Sequence, residues 1–374
     1  MNDERSAVAA LAALDHMTTA RLRSLLAHRS AVDAYAIAAG DSEPRGPIAT
    51  MFDRQPELRD RWRRSALDHR PDVMGRWCDE LGVAVVLPSD DHFPAMLLDD
   101  PQGPAVLFVR GDLGALDARR IGIVGTRNPT QHGLQTAAHC GHDLAAGGVT
   151  VVSGLAKGID GAAHRGALAS AGSRPVAVVA NGHDQPYPKR HHSLWREVGE
   201  RGAVISEWPP GTTPDAFRFP QRNRILAALS EIVLVVESRE RGGSLITAQL
   251  AAERGIDVFA VPGPLHSRSS LGTNRLIQDG AAVAAEPDDL LLALGLDGRR
   301  SGSVRHDARP RPRGFESRVL EFCRTAARDV DAVAHEFDCS MADAAMALAR
   351  LERSGWLRET GGWFEMLDEW AALL

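Results

Sequence analysis

Seven short apolar runs constrain this chain more than any other feature: "AVLFVRG", "IGIVG", "VTVVSG", "PVAVVA", "AVISE", "EIVLVVES" and "DVFAVPG". They are rich in valine and isoleucine and lack the apolar–polar alternation of a strand with one wet face. Continuous apolar runs of this length belong to strands covered on both faces, as in a parallel sheet. Between them stand "QTAAHCGHDLAAGG", "GIDGAAHRGALASAG" and "SLITAQLAAERG", helical in pattern and closed by glycine. The alternation predicts an α/β fold, an extended Rossmann-like doubly wound and mostly parallel sheet, over residues 81–297.

The flanks read differently. Residues 1–80 predict a helical domain, with Leu11, Leu14, Met17, Leu22 and Leu25 recurring at three- to five-residue spacing. Its arginine-rich end, "RQPELRDRWRRSALDHR", reads as a solvated helix face or as a phosphate-contacting patch. Residues 298–314 are rich in Gly, Pro and Arg without apolar periodicity, and predict a flexible linker. Residues 315–374 predict three helices and a hairpin turning at Gly361–Gly362, the pattern of a winged helix.

Composition narrows the setting. With 44% hydrophobic residues the chain can bury an ordinary core, and no apolar stretch is long enough to span a bilayer. Four widely separated cysteines, with neither metal-ligand spacing nor a secretion signal ahead of them, predict a cytoplasmic protein with reduced thiols. The net charge of −6 lies entirely in residues 315–374, where 12 acidic residues face six basic ones. The remaining body is neutral and is free to carry a basic groove.

In open α/β sheets, ligands bind beyond the carboxyl ends of the strands, where helix N-termini aim amides at anions. "IGIVGTRNP" delivers Arg127 to such an end; "VVSGLAKGIDGAAH" delivers Ser153, Gly154 and Lys157; "VVESRERGGSLITAQ" delivers Gly243 and Ser244, the serine placed to cap a helix. None of these is a G-x-G-x-x-G fingerprint or a G-K-[ST] phosphate loop, so an ordinary dinucleotide or NTP site is not supported. "FPQRNRILAALS" predicts a helix beginning near Gln221, with Arg222, Asn223 and Arg224 in a first turn that ordinarily prefers acids. Glycines, hydroxyls and separated cations at several strand ends suit a row of phosphates, with Phe217 and Phe219 as stacking platforms. Each residue alone also has a plain reading: Arg222 or Arg224 as an ion-pair partner of Glu207 or Glu237, Phe219 as core. Asp160 and His164, four apart, read either as an acid–base pair or as a cap with a local hydrogen bond. His183, His191 and His192 form no ligand set, and no metal site is expected.

Taken together, "HFPAML", "IGIVGTRNPTQHG", "VVSGLAKGIDGAAHRGAL", "YPKRHHSLW", "ISEWPPG", "FPQRNRILAALS", "VVESRERGGSLITAQLA" and "VFAVPG…GTNRLIQDGA" resemble the DNA-processing protein A (DprA/Smf) family across about 91–286. The resemblance implies an extended Rossmann domain that binds single-stranded DNA without hydrolysing a nucleotide, needs no cofactor, and is not an enzyme. It implies homodimerisation, for which Leu276 and Ile277 are candidate contacts, and loading of the RecA recombinase onto protected DNA in natural transformation. The DNA pocket it implies consists of Arg127, Ser153, Gly154, Lys157, Phe219, Arg222, Asn223, Arg224, Gly243 and Ser244. The N-terminal region is similar, loosely, to that family's sterile-alpha-motif-like module. A rival resemblance, to nucleoside-monophosphate phosphoribohydrolases, founders at "RGGSLITAQLAAE". That segment lacks the second loop glycine before Thr247 and has Leu250 where the catalytic Glu stands. A nucleotide-sensing domain remains a further alternative.

Overall fold

The computed structural model describes residues 1–27, 29–296, 309 and 312–367. Most of the 298–314 linker reading therefore lies outside the described residues. The chain divides into two compact units, Met1–Gly298 and Arg299–Leu374.

The first unit is built on a nine-stranded sheet. In chain order its strands are β1 (Ala84–Val86), β2 (Leu107–Gly111), β3 (Arg120–Val124), β4 (Thr150–Ser153), β5 (Val176–Val179), β6 (Ala203–Ser206), β7 (Ile232–Val235), β8 (Asp257–Ala260) and β9 (Ala282–Val283). All seven apolar runs became strands. The spatial order is β1-β2-β6-β5-β4-β3-β7-β8-β9. Strands β3 to β9 pair in parallel, whereas β2 pairs antiparallel with both β1 and β6. "AVLFVRG" thus departs from the parallel expectation. Every residue of β4, β5, β6 and β7 is buried, while β9 is exposed throughout. That gradient is why the central strands announce themselves as unbroken apolar runs and the edge does not. The chain winds outward from β3 through β4, β5 and β6, then returns to lay β7 against the other side of β3. The switch point between β3 and β7 opens a crevice at their carboxyl ends.

Six helices between Asp3 and Leu81 precede the sheet. Their core, with Leu11, Leu25, Trp62 and Met74 fully buried, runs on without a break into Val85 and Phe108. The structure thus joins the first 80 residues to the antiparallel edge of the sheet in one compact unit. The periodic leucines divide between helices Asp3–Ala13 and Thr19–Leu26, with His16 at positive φ in the turn.

In the second unit, helices Phe315–Cys323, Val330–Phe337 and Met341–Arg353 pack around Val319, Val333 and Leu348. Strands Leu357–Thr360 and Trp363–Met366 follow as a hairpin. Its two-residue turn places Gly361 and Gly362 at φ 62° and 88°, a conformation that side chains with a Cβ resist.

Candidate nucleic-acid interface

The crevice beyond β3 and β7 is a cavity of about 430 Å³. Three segments wall it: the loop after β3 (Gly125–Asn128), one face of the Arg218–Ala228 helix, and the turn from Arg239 into the Gly243–Ala252 helix. Four arginines line it (Arg127, Arg222, Arg239 and Arg241) against one carboxylate, Asp160.

Arg222 is its most telling residue. Its side chain is 3% exposed, yet Nε and Nη1 have no hydrogen-bond partner. A buried guanidinium ordinarily sits in a full set of acceptors, because leaving it unpaired costs several kcal/mol. Burial pulls its pKa down to about 10, against the pull of nearby Asp160, and Arg127 lowers it further; it is still charged at neutral pH. Burial pushes the Asp160 carboxyl up, opposed chiefly by Arg222. Gly154 makes this placement possible: a Cβ there would overlap the Arg222 guanidinium.

The neighbouring carboxylate that would neutralise the site is already occupied. Glu237 is buried and accepts hydrogen bonds from the Thr130 backbone N–H and Oγ at 2.9 and 2.5 Å, at the start of helix Gln131–Ala146. The Arg127 guanidinium lies 4.3 Å from the centroid of the Phe219 ring, and Tyr187 packs against the same ring at 5.8 Å. Phe219 is therefore a partly exposed aromatic flanked by a cation and a second ring. Asn223 donates to the Gly243 carbonyl at 3.4 Å, tying the two helix starts together. No side chain caps the Gly243–Ala252 helix, so its opening amides remain available at the cavity wall. Lys157 is exposed and does not line the cavity itself, but it donates to Oδ1 of the lining residue Asn128 at 3.1 Å.

Several sequence expectations are redirected. The helix begins at Arg218, a turn before Gln221, so Arg222 follows the first turn and does not open it. Arg224 lies outside the cavity: its Nη2 pairs with Glu207 at 2.5 Å and approaches Thr19 Oγ at 3.4 Å. A helix turns about 100° per residue, so side chains two apart point to nearly opposite sides. Ser153 is fully buried and its hydroxyl is spent on the Ile123 carbonyl at 2.6 Å. Ser244 does not cap its helix; its hydroxyl donates to Ser238 Oγ at 3.0 Å. Asp160 and His164 form no hydrogen bond with each other, and both His164 ring nitrogens lack partners. Burial pulls the His164 pKa down to about 3, so the ring is neutral. Among the described residues no group of three His, Cys, Asp or Glu is arranged to hold a metal ion. Sequence reasoning missed Arg239 and Arg241, which "ESRERGG" displays as alternating charges on an exposed turn, and missed Asp160 as the charge beneath Arg222.

Similar proteins identify the family. The family model described as DNA recombination-mediator protein A matches residues 84–295. The DNA processing protein DprA of Bacillus subtilis is 42% identical over 216 residues, covering 58% of this chain and 72% of that protein. The X-ray structure of DNA processing protein A from Streptococcus pneumoniae superposes with a TM-score of 0.63 at 31% identity, covering 78% of this chain and 98% of that one. A structure described as giving insights into the single-stranded DNA binding mode of DNA processing protein A from Helicobacter pylori gives 0.51 at 29% identity over 57% of this chain and 95% of its own. With the family matched across most of the sheet and its crevice, this chain belongs to the DNA recombination-mediator protein A, or DprA/Smf, family.

Proposed function

We propose that this chain binds single-stranded DNA in the crevice between β3 and β7, with a backbone phosphate against Arg222. The observation that carries the reading is the Arg222 guanidinium, buried and short of acceptors in a cavity where four arginines face one acid. An anion completes such a site, and the phosphodiester supplies one without a covalent step. Arg127, Arg239 and Arg241 extend the positive field, Lys157 joins them through Asn128, and the amides of Gly243 and Ser244 add a helix-start anion seat. Phe219, backed by Arg127, stacks a base. Gly154 holds room for Arg222, and Asn223 fixes the two helix starts. Arg224 and Ser153 serve the scaffold. The family reading extends this to protection of incoming DNA, loading of RecA, a homodimer formed through the half-buried Leu276 and Ile277, and a cytoplasmic site of action. Among the described residues no helix is long and apolar enough to cross a membrane.

The test is fluorescence anisotropy of labelled oligo-dT with wild type and Arg222→Glu at two salt concentrations. Duplex of equal length and free nucleotides serve as competitors. The expected result is salt-sensitive binding, competed best by single strands and abolished by the substitution. No oligo-dT binding, with a free nucleotide bound or cleaved in its place, would sink the reading.

A further inference from the structure

The Arg218–Ala228 helix has a second cavity on its other side. It measures about 660 Å³ and lies between that helix, the turn joining the first two helices, and the loop after β6. Nothing in the crevice chemistry uses it. Its wall carries Phe217, Arg218, Gln221 and Arg224 from the helix, and Arg21 and Trp208 from across the gap.

Three features give it the chemistry of a nucleotide seat. Phe217 is 54% exposed, an unusual fate for a phenylalanine on a folded body, and Arg218 lies over its ring at 4.6 Å. This repeats the Arg127–Phe219 pair of the first cavity, two residues along the same helix start. Arg224 neutralises Glu207 within the wall, Arg218 lies 4.0 Å from Asp215 and donates to the Thr213 carbonyl at 2.9 Å, and Arg21 stands against Asp15. The call for an anion therefore rests on the guanidinium nitrogens that these contacts leave unused. Arg218 keeps a buried Nε without a partner, and Arg224 a buried Nη1. Because residues 217 and 219 point to nearly opposite sides, the two ring–guanidinium pairs straddle a helix about 10 Å across. A strand leaving the first cavity over this helix start meets the second pair after a short crossing.

We propose that this second cavity is a further nucleotide subsite for the same single strand, Phe217 stacking one base and Arg218 contacting the adjoining phosphate. It rests on the binding function proposed above. Phe219 and Phe217 then act as two stacking posts with the helix start as a ridge between them, so the strand is bent there.

The experiment uses the full chain and oligo-dT carrying a single 2-aminopurine moved stepwise along the strand. Wild type is expected to change the probe's fluorescence by stacking at two separated positions. Phe219→Ala removes one and keeps the other; Phe217→Ala does the reverse, and each retained signal shows that the variant is folded. Phe217→Ala should weaken long oligo-dT by about five- to a hundredfold while leaving the shortest bound oligomers unaffected. Arg218→Ala should lower the slope of log K against log salt by about 0.7, again only for long strands. One stacked position in wild type, or two that survive Phe217→Ala, overturns the second subsite and leaves the first intact. Binding of no oligomer by wild type overturns the parent reading and the subsite together.

Discussion

The molecule contains two folds that nucleic-acid-binding proteins use, and they handle charge in opposite ways. In the sheet unit, four arginines share a cavity with one carboxylate, and the most buried of them has unpaired nitrogens. In the winged-helix unit, the helix Met341–Arg353 carries Arg350 and Arg353 against Asp343 and Glu352, so its surface is not net basic. Arg350 is paired with Glu316 at 3.1 Å, and Asp343 is engaged by the Ser340 cap. The residues from 315 onward sum to −6. Architecture permits a function; unsatisfied charge in the right place commits to one. The first unit presents an incomplete site, whereas the third helix of the second presents cations matched by acids.

The largest expected effect separates binding from stability at one residue. Arg222→Met should weaken single-stranded DNA binding by at least about thirtyfold, the scale for losing a buried charge contact. It should cost the fold little. The folded-state pKa of Arg222 is depressed to about 10, so the folded chain disfavours its proton. This destabilisation is fully present below pH 10 and disappears only as pH rises through the ordinary arginine range. It is on the order of 3 kcal/mol at neutral pH. Removing the charge relieves it, and loss of Arg222 takes away the chief influence that opposes the upward push of burial on the Asp160 carboxyl. A thermal melt equal to or above wild type is expected. A drop of several degrees would mean that Arg222 is a structural ion-pair member and the contrast with the winged helix is false.

Next in size is Gly154→Ala. The new Cβ must push the guanidinium aside without changing any charge, so affinity should fall by about tenfold. Titration of oligo-dT at fixed salt reads it. Unchanged affinity would show that the guanidinium's position, as distinct from its charge, does not matter.

Much of this was legible in the sequence, for a physical reason. Strands buried on both faces must be apolar throughout, so β3 to β7 stand out, and β2 and β8 keep short apolar runs though only partly buried, whereas β1 and β9, with three and two residues, carry too little pattern. The helix begins at Arg218 and not near Gln221, and Pro220 does not prevent this. Within a first turn its missing N–H has no intrahelical partner to lose, so the helix passes through it. Motif reading grouped Arg222 with Arg224, and helical geometry set them on different faces, one unpaired and one tied to Glu207. Asp160 beneath Arg222 comes from a different crossover, and no local spacing could have joined them.

A smaller effect distinguishes the units by pH. Burial pulls His164 down to about 3 and His183 to about 4, both in the sheet unit. Both are neutral when folded and take up a proton near pH 6.5 when unfolded. Stability should therefore be flat above that value and decline as pH falls toward 4. The slope should be up to about 1.4 kcal/mol per pH unit for each ring. His164→Leu should remove one ring's share of the slope in urea titrations at pH 7, 6 and 5, leaving the shares of His183 and of His191, which burial also pulls down. An unchanged slope would assign the acid sensitivity elsewhere.

The smallest expected effect is the sharpest check on the contrast. Arg350→Ala with Arg353→Ala, made in the full chain, removes both cations of the winged helix's third helix. If that helix met phosphate, the pair would cost affinity and lower the salt slope by about 1.4 for two single-strand contacts. Arg350 is already committed to Glu316, and exposed charges are partly screened at physiological salt. The double variant should therefore bind oligo-dT within about twofold of wild type, with the same salt slope. A slope that falls together with affinity would place the winged helix on the DNA, and the two units would share one function.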